Sequence, residues 1–116
     1  MDLIVIRDLE VEARVGVTEE ERATPQTLLV DLEIVVDLSI AAVNDDLDST
    51  LDYGMVIQEI GELVRGSDTK LLETLAGRIA DRIATMQLVR GVTVEVTKRN
   101  PPVPERVGPV GVRITR

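Results

Sequence analysis

The sequence predicts an α+β fold, a four-stranded antiparallel sheet with two helices on one face in the order β-β-α-α-β-β. The chain has 116 residues, the length of one domain, and 44% of them are hydrophobic, enough to fill a core. Apolar residues recur with a period of two near both ends of the chain and with helical spacing in the middle. Consecutive strands joined by short loops pair as antiparallel hairpins, so two hairpins should flank a helix pair. We therefore treat residues 1–116 as a single domain.

The first hairpin is predicted from two alternating segments. Apolar and polar residues alternate over residues 4–15, with an interruption at residues 7–9, and again from about residue 26 to residue 36. Leu29 and Val35 are out of phase with the inward-facing set of the second strand. We therefore expect an apolar second sheet face as well as unpaired edges, and both features favour self-association.

Two helices are predicted in the middle of the chain. After a short helical turn at residues 40–43, apolar residues from Tyr53 onwards follow helical spacing, with Thr50 or Asp52 as the N-cap. The run Gly66-Ser67-Asp68 ends this helix. A second amphipathic helix follows it directly.

The closing hairpin is predicted from alternating residues 92–97 and 110–114. Lys98 ends the first of these strands and is followed by Asn100-Pro101-Pro102, whose prolines restrict the direction of the loop. This restriction would hold the Lys98 ammonium at a site rather than in bulk water, although most lysines are ordinary surface residues.

The composition excludes several kinds of site. The chain has no His, Cys, Trp or Phe and a single Tyr. Disulfides, thiolate or imidazole metal sites and histidine-activated nucleophiles are therefore excluded. The composition does not exclude a magnesium or calcium site made of carboxylates alone. However, Asp45-Asp46-x-Asp48 lacks the glycine and distal glutamate of the helix–loop–helix calcium pattern.

Charge and hydropathy bear on partners and location. There are 13 Lys plus Arg against 21 Asp plus Glu, a net charge of −8, which disfavours a nucleic-acid partner. The longest apolar runs, residues 3–6 and 40–43, are far too short to span a bilayer, and no secretory signal is visible. We expect no membrane partner and a cytoplasmic location.

Without His or Cys, proton transfer would rely on carboxylates, Lys or Tyr. Besides Lys98, the candidates are Glu21, Tyr53 and Glu73, and each also has a purely structural explanation. Tyr53 lies on an apolar stripe and would pack in the core, but its place in the first helical turn also lets its hydroxyl meet a ligand. The Glu73 carboxylate would either interact favourably with the N-terminal end of the helix dipole or accept two N–H groups from an amino-substituted heterocycle. Glu21 lies in an acidic run, which is typical of a solvated surface.

Six short segments, taken in order, form a more specific pattern. They are Gly16-Val17-x-x-x-Glu21-Arg22 with Gln26, Asp45-Asp46-Leu47, Thr50-Leu51-Asp52-Tyr53, Leu71-Leu72-Glu73 with Ala76, Lys98 with Asn100-Pro101-Pro102-x-Pro104, and Val110-Gly111-Val112. This ordered set resembles the dihydroneopterin aldolase family over essentially the whole chain. The resemblance implies the tunnelling fold, in which four subunits close a barrel of antiparallel strands. Two such rings usually stack into an octamer, with active sites between subunits, so we expect a homo-tetramer or homo-octamer.

The resemblance also implies an activity. The family consists of lyases of folate synthesis that cleave 7,8-dihydroneopterin, by a retro-aldol reaction, to 6-hydroxymethyl-7,8-dihydropterin and glycolaldehyde. Because the imine of the pterin ring accepts the electrons, the reaction requires no cofactor, metal or Schiff base.

Roles in binding the pterin substrate follow from matching positions. By resemblance, Glu73 anchors the amino and ring N–H groups of the pterin, and backbone groups around Leu72 and Leu51 fix the ring. Thr50 belongs to the same substrate-binding set.

Catalytic roles are implied in the same way. Lys98 is the main acid/base, acting near a ring nitrogen directly or through water. Tyr53, from a neighbouring subunit, flanks the pterin and takes part in proton transfer. Glu21 orders the lysine or the water.

Two departures from the family pattern stand out. Arg14-Val15-Gly16 replaces the Tyr-His-Gly of many members, and Lys70 stands where a small polar residue can meet the ligand. Dihydroneopterin triphosphate epimerases share the same tyrosine, glutamate and lysine, and some members oxygenate the ring. The alternatives are therefore an epimerase or a non-catalytic pterin-binding oligomeric domain, whereas the zinc enzymes of this fold are excluded. A ferredoxin-like module would instead alternate strand, helix and strand twice.

Overall fold

The computed structural model describes residues 1–116 and has an α+β architecture. The elements, in chain order, are β1 (Asp2–Val15), α1 (Glu19–Ala23), β2 (Gln26–Val36), α2 (Ser39–Asn44), a 3₁₀ turn (Leu47–Ser49), α3 (Tyr53–Arg65), β3 (Asp68–Thr69), α4 (Leu72–Ala84), β4 (Gly91–Lys98) and β5 (Val110–Thr115). The predicted hairpins, helix pair and short helical turn are all present, and α1 and β3 are additional.

The sheet has five strands in the order β3-β1-β2-β4-β5, so the prediction of a four-stranded antiparallel sheet is wrong. The four long strands pair antiparallel, but β3 runs parallel to the end of β1, with Arg14 opposite Asp68 and Val15 opposite Thr69. Gly66 does end α3, and the two residues of β3 follow almost at once. A strand of two residues is too short to show alternation in a sequence.

The interruption predicted at residues 7–9 is a bulge within one continuous strand. The β1–β2 register shifts between Ile6 and Leu9, and Asp8 has a left-handed φ of 56°. Aspartate is among the residues that tolerate this conformation. The Asp8 N–H donates to Asp31 Oδ1 at 2.7 Å, so the polar group exposed by the bulge is satisfied.

The two long helices cover one face of the sheet. α3 packs on β1, and α4 packs on β4 and β5. The largest fully buried side chains between the layers include Leu28, Leu32, Ile34, Ile60, Leu75, Ile79 and Ile83. Full burial of each such side chain contributes about 1.5–3 kcal/mol. None of the helices is long and apolar enough to cross a lipid bilayer.

The centre of the opposite sheet face is charged, so the expectation that much of this face is apolar is met only near one end, where Leu3 and Val5 of β1 lie beside β2. Leu29 and Val35 are only partly buried near the two ends of β2, and the positions between them that share their face are Asp31 and Glu33. Together with neighbouring strands they form a polar depression of about 470 Å³, which is lined by Arg7, Asp31, Glu33, Thr93, Glu95, Arg113 and Thr115. Ion pairs cross it at 2.7 Å, between Arg7 and Glu33 and between Arg113 and Glu95.

Candidate active site

The candidate residues lie at two opposite ends of the folded chain. α3 and α4 are antiparallel, because α3 begins beside the loop that follows α4, whereas the short β3 connects the other ends of the two helices. α3 has 13 residues, which corresponds to a length of about 20 Å. The start of α4, with Leu72 and Glu73, is at the end where β1 meets β3. Thr50, Leu51 and Tyr53 are at the other end.

Glu21 and Lys98 form an ion pair at the β3 end. Lys98 Nζ donates to Glu21 Oε2 at 2.9 Å, and the two side chains are only 19% (Glu21) and 14% (Lys98) exposed. Glu21 Oε1 also accepts the Val17 N–H at 3.0 Å, and Gln26 Nε2 lies 3.4 Å from Oε2. The expectation of a solvated carboxylate is therefore wrong for Glu21, because α1 turns it inward while Glu19 and Glu20 stay exposed.

The environment of Glu21 favours its charged form. The hydrogen bond from Lys98 lowers the pKa of Glu21 below its ordinary value of 4.5, against the opposing effect of burial. The Val17 N–H and Gln26 act in the same direction. At neutral pH Glu21 is therefore a carboxylate, and its hydrogen bond with Nζ holds the Lys98 side chain in place.

A pH-dependent contribution to stability follows from this pair. Because the folded-state pKa of Glu21 is depressed, its stabilising effect is fully present above pH 4.5 and is lost as the pH falls through the folded-state value. We expect Glu21→Gln to lower the free energy of unfolding at pH 7 by about 1–2 kcal/mol. Urea unfolding should show that the difference in unfolding free energy between Glu21→Gln and the parent becomes steadily smaller below pH 4.5.

Glu20→Gln is the matched control for this experiment, since Glu20 is exposed on the same short helix. Its unfolding free energy should stay within about 0.5 kcal/mol of the parent. A Glu21→Gln deficit that is independent of pH would contradict the account.

Gly16 makes room for the Glu21 side chain. A β-carbon at Gly16 would overlap the Cγ, Cδ and Oε1 atoms of Glu21. A flexible carboxylate can swing away from such an overlap at little cost to the fold, but it would then leave Lys98. The glycine is thus explained by the position of the ion pair.

Gly16→Ala should therefore separate activity from stability. We expect turnover to fall about tenfold or more, since small misplacements of catalytic groups are costly. The melting temperature should fall by only about 4 °C or less. Gly108→Ala is the control, because nothing lies within 4 Å of a β-carbon there. Parental turnover in Gly16→Ala would show that this contact is irrelevant.

Glu73 lies next to a cleft at the same end of the subunit. It is the second residue of α4 and is exposed, and it has no ion-pair partner within the subunit. The cleft, of about 400 Å³, is lined by Val17, Asp68, Thr69, Lys70, Leu71, Thr74 and Arg78. Val17 lines this cleft and also donates to Glu21. The structure therefore brings Glu21, Lys98 and the Leu72–Glu73 segment to one region, with Lys70 at its border.

Tyr53 is exposed at the other end, so packing in the core is the wrong explanation for it. Its exposed fraction is 64%, because the buried stripe of α3 begins only at Val56. Asp52 is the N-cap of α3, accepting the N–H groups of Gly54 and Met55. A second cavity of about 420 Å³ lies beside this turn, and its lining includes Thr50, the largely buried Leu51, Met55, Met86 and Leu88.

The acidic residues 45–48 do not form a metal site. No group of three or more His, Cys, Asp or Glu side chains is arranged so that it could hold a metal ion. Asp46 instead accepts the Asp48 N–H at 3.0 Å and caps the 3₁₀ turn.

Comparison with known proteins decides the family. The family model for FolB, dihydroneopterin aldolase, matches residues 4–115. The chain belongs to the dihydroneopterin aldolase family. The dihydroneopterin aldolase of Bacillus subtilis is 38% identical over 117 residues, covering 100% of this chain and 98% of the relative. The resemblance, the lyase class and the aldolase function predicted from the sequence are confirmed.

Solved structures of dihydroneopterin aldolases share the whole fold. The Escherichia coli enzyme in complex with neopterin superposes with a TM-score of 0.90 at 30% identity, covering 100% of this chain and 99% of that one. The Burkholderia thailendensis enzyme bound to guanine gives a TM-score of 0.82 at 27% identity, covering 99% of this chain and 89% of that one.

Three further residues surround the Glu21–Lys98 pair without having been assigned a role from the sequence. Val17 and Gln26 hold the Glu21 carboxylate, and Arg22 binds the loop before it. All three belong to the first matching segment, but α1 itself, with five residues, has no usable periodicity. The one available signal was the spacing of Gly16, Glu21 and Gln26.

Proposed function

We propose that the aldolase reaction takes place where the Glu21–Lys98 end of one subunit meets the Tyr53 end of a neighbouring subunit. The observation that carries this proposal is the distribution of the groups. The Glu21–Lys98 pair and Glu73 occupy one end, whereas the exposed Tyr53 lies about 20 Å away along α3. A single subunit therefore lacks a complete site.

The free edges of the sheet support a closed ring of subunits. β5 has no partner on its outer side, and β1 is paired on its outer side only at Arg14 and Val15. Pairing the β5 edge of one copy with the β1 edge of the next is a head-to-tail contact that can close into a ring. A homo-tetramer or stacked homo-octamer, and a cytoplasmic location, stay predictions.

The pterin would be held by a carboxylate and by backbone groups. Glu73 accepts the amino and ring N–H groups side by side, a charge-assisted geometry that favours a planar heterocycle. The backbone at Leu72 fixes the ring from the same subunit. Leu51 and Thr50 contact the ring from the neighbouring subunit, because they adjoin Tyr53 in the chain.

Lys98 would move the protons of the retro-aldol step. The hydroxyl on the second side-chain carbon loses its proton, the bond between the first two side-chain carbons breaks, and the electron pair enters the C6–N5 imine as N5 gains a proton. Glycolaldehyde leaves, the first carbon is then protonated, and N5 releases its proton to restore the imine. Lys98 donates and accepts protons near N5, and Glu21 orients the Lys98 amine. Tyr53 assists proton transfer at the side chain of the pterin.

Product analysis tests the reaction and its alternatives. Incubation with 7,8-dihydroneopterin or its epimer, followed by chromatography, should yield glycolaldehyde and 6-hydroxymethyl-7,8-dihydropterin. Cleavage of the triphosphate would release the same pterin together with the triphosphate ester of glycolaldehyde. Interconversion of the epimers without glycolaldehyde would favour an epimerase. Binding with no turnover of any substrate would favour a non-catalytic pterin-binding domain.

Glu73→Gln should weaken substrate binding more than it slows the reaction. Losing the charged acceptor should cost about 2 kcal/mol of binding free energy, which corresponds to a rise in KM of about 30-fold. Steady-state kinetics should show a much smaller change in kcat. Glu62→Gln, an exposed glutamate on α3, is the control. An unchanged KM in Glu73→Gln would contradict the proposed anchor.

A further inference from the structure

Arg22 contacts both segments that carry the site residues at the β3 end. Its Nη1 donates to the carbonyl oxygens of Gly16 at 2.8 Å and Val17 at 3.2 Å. Its Nε lies 3.3 Å from Asp68 Oδ1, and its side chain is only 17% exposed. The first two contacts hold the loop around Glu21, and the third reaches the strand that leads into Glu73.

Few other contacts join these two segments. Gly16 donates its N–H to the Thr69 carbonyl at 3.0 Å, and β3 adds only two residue pairs with β1. α1 has five residues and cannot hold its position without tertiary contacts. Arg14, which lies opposite Asp68 in the short ladder, also binds α1 through the carbonyl oxygens of Arg22 and Ala23, but its side chain makes no hydrogen bond or ion pair with β3.

We propose that Arg22 is a positioning residue that fixes Glu21, and through it Lys98, relative to Glu73. The inference rests on the function proposed above. Arginine suits this role because its planar guanidinium presents several donors in fixed directions, whereas a lysine has one compact charge. Arg22 touches neither the reacting atoms nor the groups proposed to bind the pterin ring.

The kinetic consequence differs from that of a purely structural arginine. If Arg22 fixes the register of the two segments, its loss leaves the ring anchored by Glu73 but misaligned with Lys98. Turnover then falls while ring binding persists. A structural arginine would lower stability, binding and turnover together.

The test compares Arg22→Ala, Arg22→Lys and Asp68→Ala in the full-length protein. We expect Arg22→Ala to lower kcat about 20-fold, with KM and neopterin affinity within about threefold of the parent. Arg22→Lys should recover only part of kcat, and Asp68→Ala, which keeps the carbonyl contacts, should lose about fivefold. The double variant should be no slower than Arg22→Ala, because the two side chains act through one link.

Arg116→Ala is the control, since Arg116 forms an ion pair with an equally exposed aspartate, Asp81, at 3.5 Å and away from these segments, with a side chain that is 48% exposed. It should keep parental kinetics. Parental kcat in both Arg22→Ala and Asp68→Ala would overturn the inference, as would a joint loss of neopterin binding and melting temperature. If those variants are unchanged while Lys98→Ala is inactive, only the role of Arg22 fails. If Lys98→Ala stays active, the proposed site itself fails.

Discussion

Replacing Lys98 by alanine should lower kcat by about 1,000-fold, within the range that general acid–base catalysis supplies. The chain has no His or Cys that could take over the proton transfer. Glu21 alone is a poor substitute for the amine, because a carboxyl group is ordinarily ionised at neutral pH and has no proton to donate. Glycolaldehyde release measures the loss. Neopterin titration should show affinity within about threefold of the parent, since Glu73 is untouched.

Arg99→Ala is the control for this variant. Arg99 is the next residue in the chain, is exposed, and pairs with Glu10 at 3.3 Å. Its loss removes a neighbouring positive charge without touching Glu21, and turnover should stay within about twofold of the parent. Near-parental turnover in Lys98→Ala would remove this lysine from the mechanism.

Tyr53→Phe should lower kcat about 100-fold, which corresponds to the loss of one proton-transfer group. The Tyr53 hydroxyl has no hydrogen-bond partner within its own subunit, and the side chain is largely exposed, so folding and assembly should be unchanged. The phenyl ring can still stack on a planar ligand, so KM should change little.

Tyr53→Leu extends this test, since it removes the aromatic ring as well as the hydroxyl. It should weaken neopterin binding in addition to slowing turnover, and size-exclusion chromatography of both variants should match the parent. If Tyr53→Phe turns over at the parental rate, the hydroxyl has no role in proton transfer.

The long elements could be predicted because each repeats a pattern that burial dictates. Alternation marks β2 and β4, and the helical stripe marks α3 and α4. α1 and β3 could not be found in this way, because α1 has five residues and β3 has two, and such short segments do not show a repeating pattern of apolar residues. Asp8 looked like a break in the strand because a bulge shifts the phase while leaving the strand intact.

The sequence named the candidate site residues but not their surroundings. The ordered segments that contain Glu21, Tyr53, Glu73 and Lys98 indicated the family, which is confirmed, whereas the roles of these four residues stay predictions. The burial of Glu21 depends on a partner 77 residues away, which no local window contains. The exposure of Tyr53 depends on where the buried stripe of α3 begins. The separation of the two ends depends on the antiparallel packing of the helices.

A site shared between subunits is tested most directly by mixing two inactive variants. Subunits carrying Lys98→Ala and Tyr53→Phe, coexpressed with different tags and purified as mixed oligomers, should regain activity. With random assembly, about a quarter of the sites would combine a native Lys98 from one subunit with a native Tyr53 from its neighbour.

Mixed oligomers of Lys98→Ala and Glu21→Gln are the control, because these two side chains pair within one subunit and no site can be restored. Activity near a quarter of the parental value in the first mixture, and none above the separate variants in the second, is the predicted result. No recovery in the first mixture, despite confirmed mixed assembly, would contradict a site built from both ends of adjacent subunits.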